Sequence, residues 1–293
     1  MKSSLHRRTK LGIALGSGSA RGWAHIGVLM GLAEEGIAPD FIAGCSMGAM
    51  VGAACAAGRL EELETWALSL DWKGVVGLLD LGLRGGLLKG DRLLNMFQGQ
   101  FVECQFSELA LPFAAVATEL ATGKEIWLRE GKVSDAVRAS CTVPGLFRPV
   151  WREGRYVVDG SVVNPIPVSL CRAMGAEVVI AVDLGSHLRR RFRLDLEDPP
   201  KTTPQRRGLF NVLSPPKQPY RPPPSIVDTL LGAIDVMQER IAQARLVSEP
   251  PDVLLTPSLG QLGPFEYHRA ATAIAEGREV VAQNLPAIRA LLA

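Results

Sequence analysis

The chain has 293 residues, 47% of them hydrophobic and 21% charged, so it can bury a sizeable core and is neither disordered nor fibrous. A formal net charge of +2 argues against a generally basic nucleic-acid-binding protein. The five cysteines are scattered without a C-x-x-C pair, which favours a reducing intracellular compartment and argues against a disulfide framework or a zinc site.

Two segments imitate targeting signals. The basic start is followed by an apolar run at 11–16 that is shorter than the ~7–15 residues of a signal-peptide core and broken by Gly, so we expect no export. Residues 41–58 carry no charge, but they are rich in Gly and Ala, and a buried strand, turn and helix explain them better than a membrane span.

Short apolar runs alternate with helical patterns over the first 185 residues, which predicts an α/β fold with a largely parallel sheet. The predicted strands lie at 11–15, 41–45, 113–118, 125–128, 148–151, 155–158, 177–183 and 252–256. The predicted helices lie at 22–35, 46–57, 60–69, 91–103, 132–141, 225–247 and 266–292. The strand at 177–183 is apolar throughout, so we expect it to lie centrally in the sheet.

The composition changes between residues 188 and 221, where nine basic residues face three acidic ones. This stretch therefore carries +6 and the remaining chain −4, while repeated prolines oppose regular structure. We expect a single domain over 10–293, with a basic tail at 1–9, a mobile insertion at 188–224 and a helical part at 225–293. The insertion is interpreted as solvated chain, with attraction to anionic headgroups or closure over a pocket as the functional hypotheses.

The sequence Gly44-Cys45-Ser46-Met47-Gly48 fits G-x-S-x-G. It lies between a predicted strand and a predicted helix, where a sharp turn exposes the Ser hydroxyl and flanking glycines let the two elements approach. The helix N-terminus favours negative charge that develops nearby. The pattern predicts Ser46 as a nucleophile, the alternative being a Gly-rich turn with a capping Ser.

A second Gly/Ser-rich loop, residues 16–22, also joins a strand to a helix. Its small residues can present backbone N–H groups to a phosphate or to a tetrahedral oxyanion. The dinucleotide fingerprint fails because its sixth position is Arg21, and no G-K-[ST] follows a Gly-rich loop. With a candidate nucleophile one βα unit downstream, an oxyanion hole is the simpler interpretation.

No histidine is well placed to activate Ser46. Two lie in basic segments, one begins a helix at the surface, and His25 lies inside the first helix, where we expect it to be packed and hydrogen-bonded. An α/β-hydrolase would also place more strands ahead of its nucleophile. A carboxylate base is therefore favoured, and Asp159, at a strand end before Gly160, is the candidate; its alternative role is turn formation.

These motifs, in this order and spacing, resemble the patatin-like phospholipases, and most closely the bacterial RssA-type subgroup related to the catalytic domain of neuropathy target esterase. The resemblance covers most of residues 10–185. Its segments are LGIALGSGSARGWAHIGVL, GCSMGAMVGA, RASCTVPGLFRPV and VDGSVVNPIP. It implies a three-layer α/β fold, with a mostly parallel central sheet and helices on both faces.

The resemblance also implies a Ser–Asp dyad, in which Ser46 attacks an ester carbonyl and Asp159 takes the proton and later activates water. Backbone N–H groups around Ser17, Gly18 and Ser19 would stabilise the oxyanion, with Arg21 bracing their loop. The remaining motif residues are Gly44 and Gly48 of the elbow, and Gly160 and Ser161 of the Asp-Gly block. The chain departs from many members at Ser17, Ser19 and Ser161, where Gly, or Gly or Ala, is usual.

The implied activity is hydrolysis of carboxylic esters of lipids or phospholipids, without a metal or cofactor. We expect a cytoplasmic protein that contacts an anionic membrane peripherally and binds no nucleic acid. Two alternatives stay open: a regulatory interaction protein that retains the fold, and a hydrolase of short soluble esters or thioesters.

Overall fold

The computed structural model describes residues 8–78, 96–97, 99–185 and 226–293. Their strands are β1 (Leu11–Leu15), β2 (Phe41–Gly44), β3 (Phe113–Glu119), β4 (Glu125–Leu128), β5 (Val150–Arg152), β6 (Arg155–Asp159), β7 (Val178–Val182) and β8 (Val253–Leu255). Their helices are α1 (Ala24–Glu34), α2 (Met47–Ala56), α3 (Leu60–Ser69), α4 (Trp72–Leu78), α5 (Val133–Ser140), α6 (Val168–Ala173), α7 (Ile226–Ser248) and α8 (Ala270–Leu292). The predicted insertion at 188–224 and most of the basic tail lie outside the described residues.

All eight strands belong to one sheet, in the order β5-β6-β3-β2-β1-β7-β8, with β4 also paired to β3. The ladders from β3 through β2, β1 and β7 to β8 are parallel, and those of β3 with β4, β3 with β6 and β5 with β6 are antiparallel. The strand predicted to be central, β7, is instead the penultimate one. It is nevertheless fully buried, because β1 and β8 flank it and helices cover both faces.

Helices cover both faces of the sheet, which confirms the predicted three-layer α/β fold. Strand residues of alternating parity point to opposite faces, so that Ile13 joins the larger core with α1, α2 and α8, while Ala14 faces α6 and α7. On this second face four alanines pair across neighbouring strands. They are Ala114, Ala43, Ala14 and Ala181. Their small side chains allow α6 to approach the sheet closely.

The C-terminal helix α8 packs along α1. A Cβ atom at Gly27 would overlap the carbonyl oxygen of Ile274, and one at Gly277 would overlap that of Ala24. The two glycines therefore let the helix backbones touch. This contact packs the C-terminal helix directly against α1.

The elements missed from the sequence are short. Helices α4 and α6 have seven and six residues, lengths at which a 3.6-residue period is hard to recognise. The first predicted helix begins as a 3-10 helix at Ser19–Trp23. Residues 96, 97 and 99–101 are helical within the predicted 91–103, whose residues 91–95 and 98 lie outside the described part.

Helix α7 is fastened to the sheet by Arg245. Its guanidinium donates to Glu125 at 2.8 Å and to Ser169 at 3.1 Å, and both carboxylate and guanidinium are largely screened from water, at 19% and 27% exposure. A charge-assisted pair in such a site is stronger than a surface pair.

Replacing Arg245 with Met should lower the free energy of unfolding by about 1–2 kcal/mol, because Glu125 loses its cationic partner while the apolar stem remains. Denaturant unfolding measures the change. Arg59→Met is the matched control, since its pair with Glu62 is half exposed on both sides and should contribute little. Equal effects of the two substitutions would contradict the assigned anchoring role.

Candidate functional site

The strand register brings three functional segments to one edge of the sheet. Leu15 at the end of β1 pairs with Gly44 at the end of β2, so the two loops that follow these parallel strands are neighbours. On β3, Ala115 pairs with Gly44 and Ala117 with Asp159. Gly44, which lies just before the Ser46 turn, and Asp159 therefore pair with residues of β3 that are only two positions apart.

Ser46 occupies the turn between β2 and α2, as the G-x-S-x-G pattern predicts. Its φ and ψ are 55° and −122°. Residues other than Gly rarely adopt this region, so the backbone of Ser46 is strained. A Cβ atom at Gly48 would overlap the carbonyl oxygens of Leu15 and Gly16, so only Gly lets the first turn of α2 approach β1. The glycine thus holds the serine at the sheet edge.

The backbone of Ser46 is fixed from the far side by α5 and the residue after it. The Ser46 N–H donates to Ser140 Oγ at 3.0 Å, and Cys141 Sγ donates to the Ser46 carbonyl at 3.2 Å. Ser46 is only 8% exposed, and it lines a cleft. Its hydroxyl is therefore held by a rigid backbone at the bottom of that cleft.

Asp159 ends β6 and is completely buried. Its N–H donates to the Thr142 carbonyl at 2.8 Å, its carbonyl accepts from Thr118 Oγ1 at 2.9 Å, and its Oδ1 accepts from the Ser161 N–H at 2.8 Å. Oδ2 has no hydrogen-bond partner within the described residues. Oδ1 of the carboxylate is thus held by a hydrogen bond, whereas Oδ2 is buried and unpaired within the described residues.

Burial raises the pKa of Asp159 above its ordinary value, because a charged carboxylate loses its hydration. Hydrogen bonding from Ser161 and proximity of the Ser46 hydroxyl act in the opposite direction but do not cancel the rise. The Ser46 hydroxyl therefore lies close to the carboxylate, although it makes no hydrogen bond of ordinary geometry to Oδ2. Such contacts often tighten only when a substrate is bound.

Two buried thiols adjoin the carboxylate, those of Cys45 and Cys141. Burial raises the pKa of both thiols well above the usual value, and the Asp159 charge raises it further. Both therefore stay protonated at neutral pH and are poor nucleophiles. All five cysteines of the chain are free thiols.

The Gly/Ser loop at 16–19 is held by hydrogen bonds to other segments. The Ser17 N–H, one of three predicted oxyanion donors, donates to the Pro165 carbonyl at 2.9 Å and is already satisfied. Within the described ranges, the N–H groups of Gly18 and Ser19 donate to no protein atom. Ser19 has a φ of 51°, so this Ser stands where the backbone favours Gly, and its hydroxyl lies 3.3 Å from the Tyr267 hydroxyl.

His25 supports the same loop from below, and the prediction that it is a packed, hydrogen-bonded helix residue is confirmed. It is fully buried and its Nε2 lies 2.7 Å from the Gly16 carbonyl oxygen. Burial lowers the pKa of His25 to about 4, so the ring is neutral at physiological pH and Nε2–H donates. This histidine positions the loop and does not line the cleft.

Arg21 reaches beyond the bracing role predicted for it. Its side chain is buried and forms an ion pair with Asp235 of α7 at 3.6 Å. Burial raises the pKa of Asp235, and Arg21 opposes that rise. Arg21 therefore connects the Gly/Ser loop to a helix more than 200 residues away in sequence.

The structure brings the predicted site residues together around one cleft. Ser17, Gly18, Ser19, Arg21, Ser46 and Ser161 line it, while Asp159 lies beneath, and Gly44, Gly48 and Gly160 shape the turns. The sequence pattern predicts α7 as a helix but not its position over the cleft, which its inward face closes with Ile234, Asp235, Gln238, Glu239 and Ala242. The five positions are alternately one and three residues apart, a spacing that places them on one face of a helix. The spacing does not indicate which part of the molecule that face covers.

Within the described residues, no group of three or more His, Cys, Asp or Glu side chains is arranged to hold a metal ion. No helix in those same ranges is long and apolar enough to cross a membrane.

Comparison with known proteins gives concordant matches. A family model described as patatin-like phospholipase matches residues 13–172. An uncharacterized NTE family protein of Mycobacterium tuberculosis is 31% identical over 95% of this chain and 92% of the relative. Patatin-like phospholipase domain-containing protein 6 of Mus musculus is 32% identical over 60% of this chain, which is 14% of that relative.

A solved structure shares the fold. The crystal structure of VipD from Legionella pneumophila superposes with a TM-score of 0.58 at 13% identity, over 95% of this chain and 67% of that chain. At this identity the match concerns the chain path alone.

Proposed function

Because the chain belongs to the patatin-like phospholipase family, we propose that it hydrolyses carboxylic esters of lipids with Ser46 as nucleophile and Asp159 as general base. One observation carries the proposal. A strained serine at the N-terminus of α2 lies beside a buried carboxylate whose second oxygen, Oδ2, has no partner within the described residues. An Asp that only forms a turn would normally be exposed to solvent, whereas Asp159 is buried with an unpaired oxygen.

In the proposed reaction, Asp159 Oδ2 accepts the Ser46 proton as Oγ bonds to the ester carbonyl carbon. The N–H groups of Gly18 and Ser19, together with the N-terminus of α2, are the candidate donors for the oxyanion. Collapse of the tetrahedral intermediate breaks the ester bond, and protonated Asp159 returns the proton to the leaving alcohol. Asp159 then takes a proton from water as the water attacks the acyl-enzyme, and passes it to Ser46 Oγ as the carboxylic acid leaves.

The buried position of Asp159 answers the main chemical difficulty of this dyad. An ordinary carboxylate is a weak base toward a serine hydroxyl, whereas burial raises the pKa of Asp159 and strengthens it as a base. The hydrogen bond from the Ser161 N–H restrains Oδ1 and leaves Oδ2 unpaired for proton transfer. Both features support base catalysis over a purely structural role.

The apolar part of the cleft supports an acyl substrate. Val143, Leu146, Ile166, Ile234 and Phe265 line it beside Ser46. An apolar wall of this kind suits an acyl chain, and the polar groups that share the cleft can orient the ester. We also propose that the protein belongs to the RssA-type subgroup, is cytoplasmic and contacts an anionic membrane peripherally. Hydrolysis of short soluble esters or thioesters is the second candidate, and a phospholipid, lysophospholipid and short-ester panel separates the two.

A fluorophosphonate probe tests the nucleophile directly. The wild type should be labelled, with the adduct located on Ser46 by peptide mass spectrometry, and Ser46→Ala should lose both labelling and hydrolysis, the latter by about 10⁴-fold or more. Ser248→Ala is the control, because the Ser248 hydroxyl donates to carbonyls of its own helix. Unlabelled but folded wild type, or a label retained in Ser46→Ala, would refute the proposal and favour a regulatory interaction protein.

A further inference from the structure

Helix α7 reaches the Asp159 side of the cleft through one polar contact. Gln238 Nε2 donates to Ser161 Oγ at 2.7 Å, and the Ser161 N–H donates to Asp159 Oδ1 at 2.8 Å. Ser161 and Asp159 are both buried. A chain of contacts therefore runs from the helix that closes the cleft to the carboxylate beneath it.

The chemistry of the Ser161 hydroxyl sets the direction of hydrogen-bond donation from Gln238 toward Asp159. A serine hydroxyl has one hydrogen to donate and two lone pairs that accept, whereas the amide nitrogen of Gln238 can only donate. With a lone pair of Ser161 Oγ occupied by Gln238, its hydrogen is free to turn toward the neighbouring carboxylate. Among the described residues, the hydrogen bond that joins Ser161 to the carboxylate comes from the Ser161 N–H, and the nearby Ser161 side chain also acts to lower the pKa of Asp159.

We propose that Gln238 and Ser161 are positioning residues for Asp159: Gln238 orients the Ser161 hydroxyl, and Ser161 holds the carboxylate through both its backbone and its side chain. The inference rests on the dyad proposed above. It gives a purpose to Ser161, where the resemblance leads one to expect Gly or Ala, neither of which can donate from a side chain. It also makes the protonation of the base depend on the closing helix.

Other ionisable groups near the site must be separated from Asp159 in any titration. Cys45, Cys141 and Tyr267 face it, but burial raises the pKa of all three, so they remain neutral below alkaline pH. His25 lies behind the Gly/Ser loop with a lowered pKa. The charged groups that line the cleft are Arg21, Asp183, Asp235 and Glu239. Of these carboxylates, Asp235 has a raised pKa and could imitate the titration of Asp159.

The first test is the pH profile of kcat/KM for Ser161→Ala. Loss of a hydrogen bond to a carboxylate disfavours its charged form, so the acidic limb should move to higher pH by about one unit. Activity should therefore fall about tenfold below the limb and recover at higher pH, whereas a general packing defect would lower activity at every pH. Asp235→Asn, made in wild type and in Ser161→Ala, identifies the group that titrates, whatever its effect on the rate. A limb and shift that persist belong to Asp159, whereas a limb that disappears with Asp235 would overturn the inference.

The second test uses Gln238. In Gln238→Ala the limb should shift in the same direction but less, because the Ser161 hydroxyl remains. In Gln238→Glu it should shift further than in Gln238→Ala, since a carboxylate accepts the Ser161 hydrogen that Asp159 would otherwise receive. Gln283→Ala, which removes an amide from the surface of α8, is the matched control and should leave the profile unchanged.

A titration of the Asp159 carboxyl by ¹³C NMR, assigned with Asp159→Asn, separates this inference from the proposed function. An upward shift in Ser161→Ala supports the positioning role whether or not a substrate has been found. An unchanged titration overturns it, even if Ser46-dependent hydrolysis is present. Failure of the proposed function itself would instead appear as wild-type protein in which the probe does not label Ser46.

Discussion

Replacing Asp159 with Asn is expected to reduce kcat by about 10³-fold or more, without unfolding the protein. The amide can still accept from the Ser161 N–H, but it cannot take a proton from Ser46. Loss of base catalysis should appear in kcat rather than in KM, because Asp159 lies beneath the cleft and not on its wall. Steady-state kinetics over a range of pH measures this, and Asp159→Ala should give the same loss.

The same substitution should raise the thermal stability at neutral pH. The pKa of Asp159 is raised in the folded state, so between the ordinary carboxyl pKa of about 3.9 and the higher folded value the native protein binds more protons than the unfolded one. Stability therefore falls as pH rises through this window, and the penalty for the buried charge is complete above the folded-state pKa. Asn carries no charge and removes it.

Calorimetry at two pH values checks this sign. We expect the Tm of Asp159→Asn to exceed that of wild type by about 2 °C or more at pH 7, and the difference to shrink in acid, where wild-type Asp159 is protonated. A variant that is less stable than wild type at pH 7, or active, would show that the carboxylate is a structural element. An active site maintained at the expense of stability is a common arrangement.

Replacing Gly48 with Ala is expected to lower the free energy of unfolding by about 3 kcal/mol or more and to abolish labelling of Ser46. The added methyl group meets two backbone carbonyl oxygens, of Leu15 and Gly16, and neither belongs to a flexible side chain that could turn away. Relief requires α2 to move from β1, which displaces the strained serine. Denaturant unfolding and probe labelling measure the two effects.

Gly232→Ala in α7 provides the matched comparison. A Cβ atom at Gly232 meets nothing within 4 Å, so the substitution should stabilise the protein by up to about 1 kcal/mol through helix propensity alone. Opposite signs for the same chemical change would attribute the effect at Gly48 to the close approach of two backbones. A tolerated Ala at Gly48 would refute the elbow geometry described above.

Local patterns were sufficient for the elements that carry the motifs. The short apolar run at 11–15 leads into a Gly/Ser loop, and the small-residue segment after Ser46 ends at Gly58, so length and flanking glycines indicate a strand and a helix. Their loops fall at the edge where parallel strands end. The lack of a well-placed histidine and the strand-end position of Asp159 made it the candidate base, and the resemblance then implied its pairing with Ser46, 113 positions earlier. The register of β2 and β6 on β3 supplies its physical basis.

Long-range contacts explain what the sequence could not show. An N–H group at Ser17 is indistinguishable in sequence from those at Gly18 and Ser19, and only the arrival of Pro165 shows that it is occupied. Likewise, Gln238 is an ordinary polar residue in a helix until the fold places it on Ser161. The length of an apolar run predicts that β7 is buried, but not how many strands lie outside it.

The bond from Ser17 to Pro165 has a consequence for how substitutions in this region combine. Pro165 follows Asp159 by only six residues, so the short segment that positions the base also supports the loop of the candidate oxyanion donors. A displacement of that segment would disturb proton transfer and charge stabilisation together. The energetic effects of changes in the two motifs should then be strongly non-additive, and the site is best regarded as one cooperative unit rather than as separable parts.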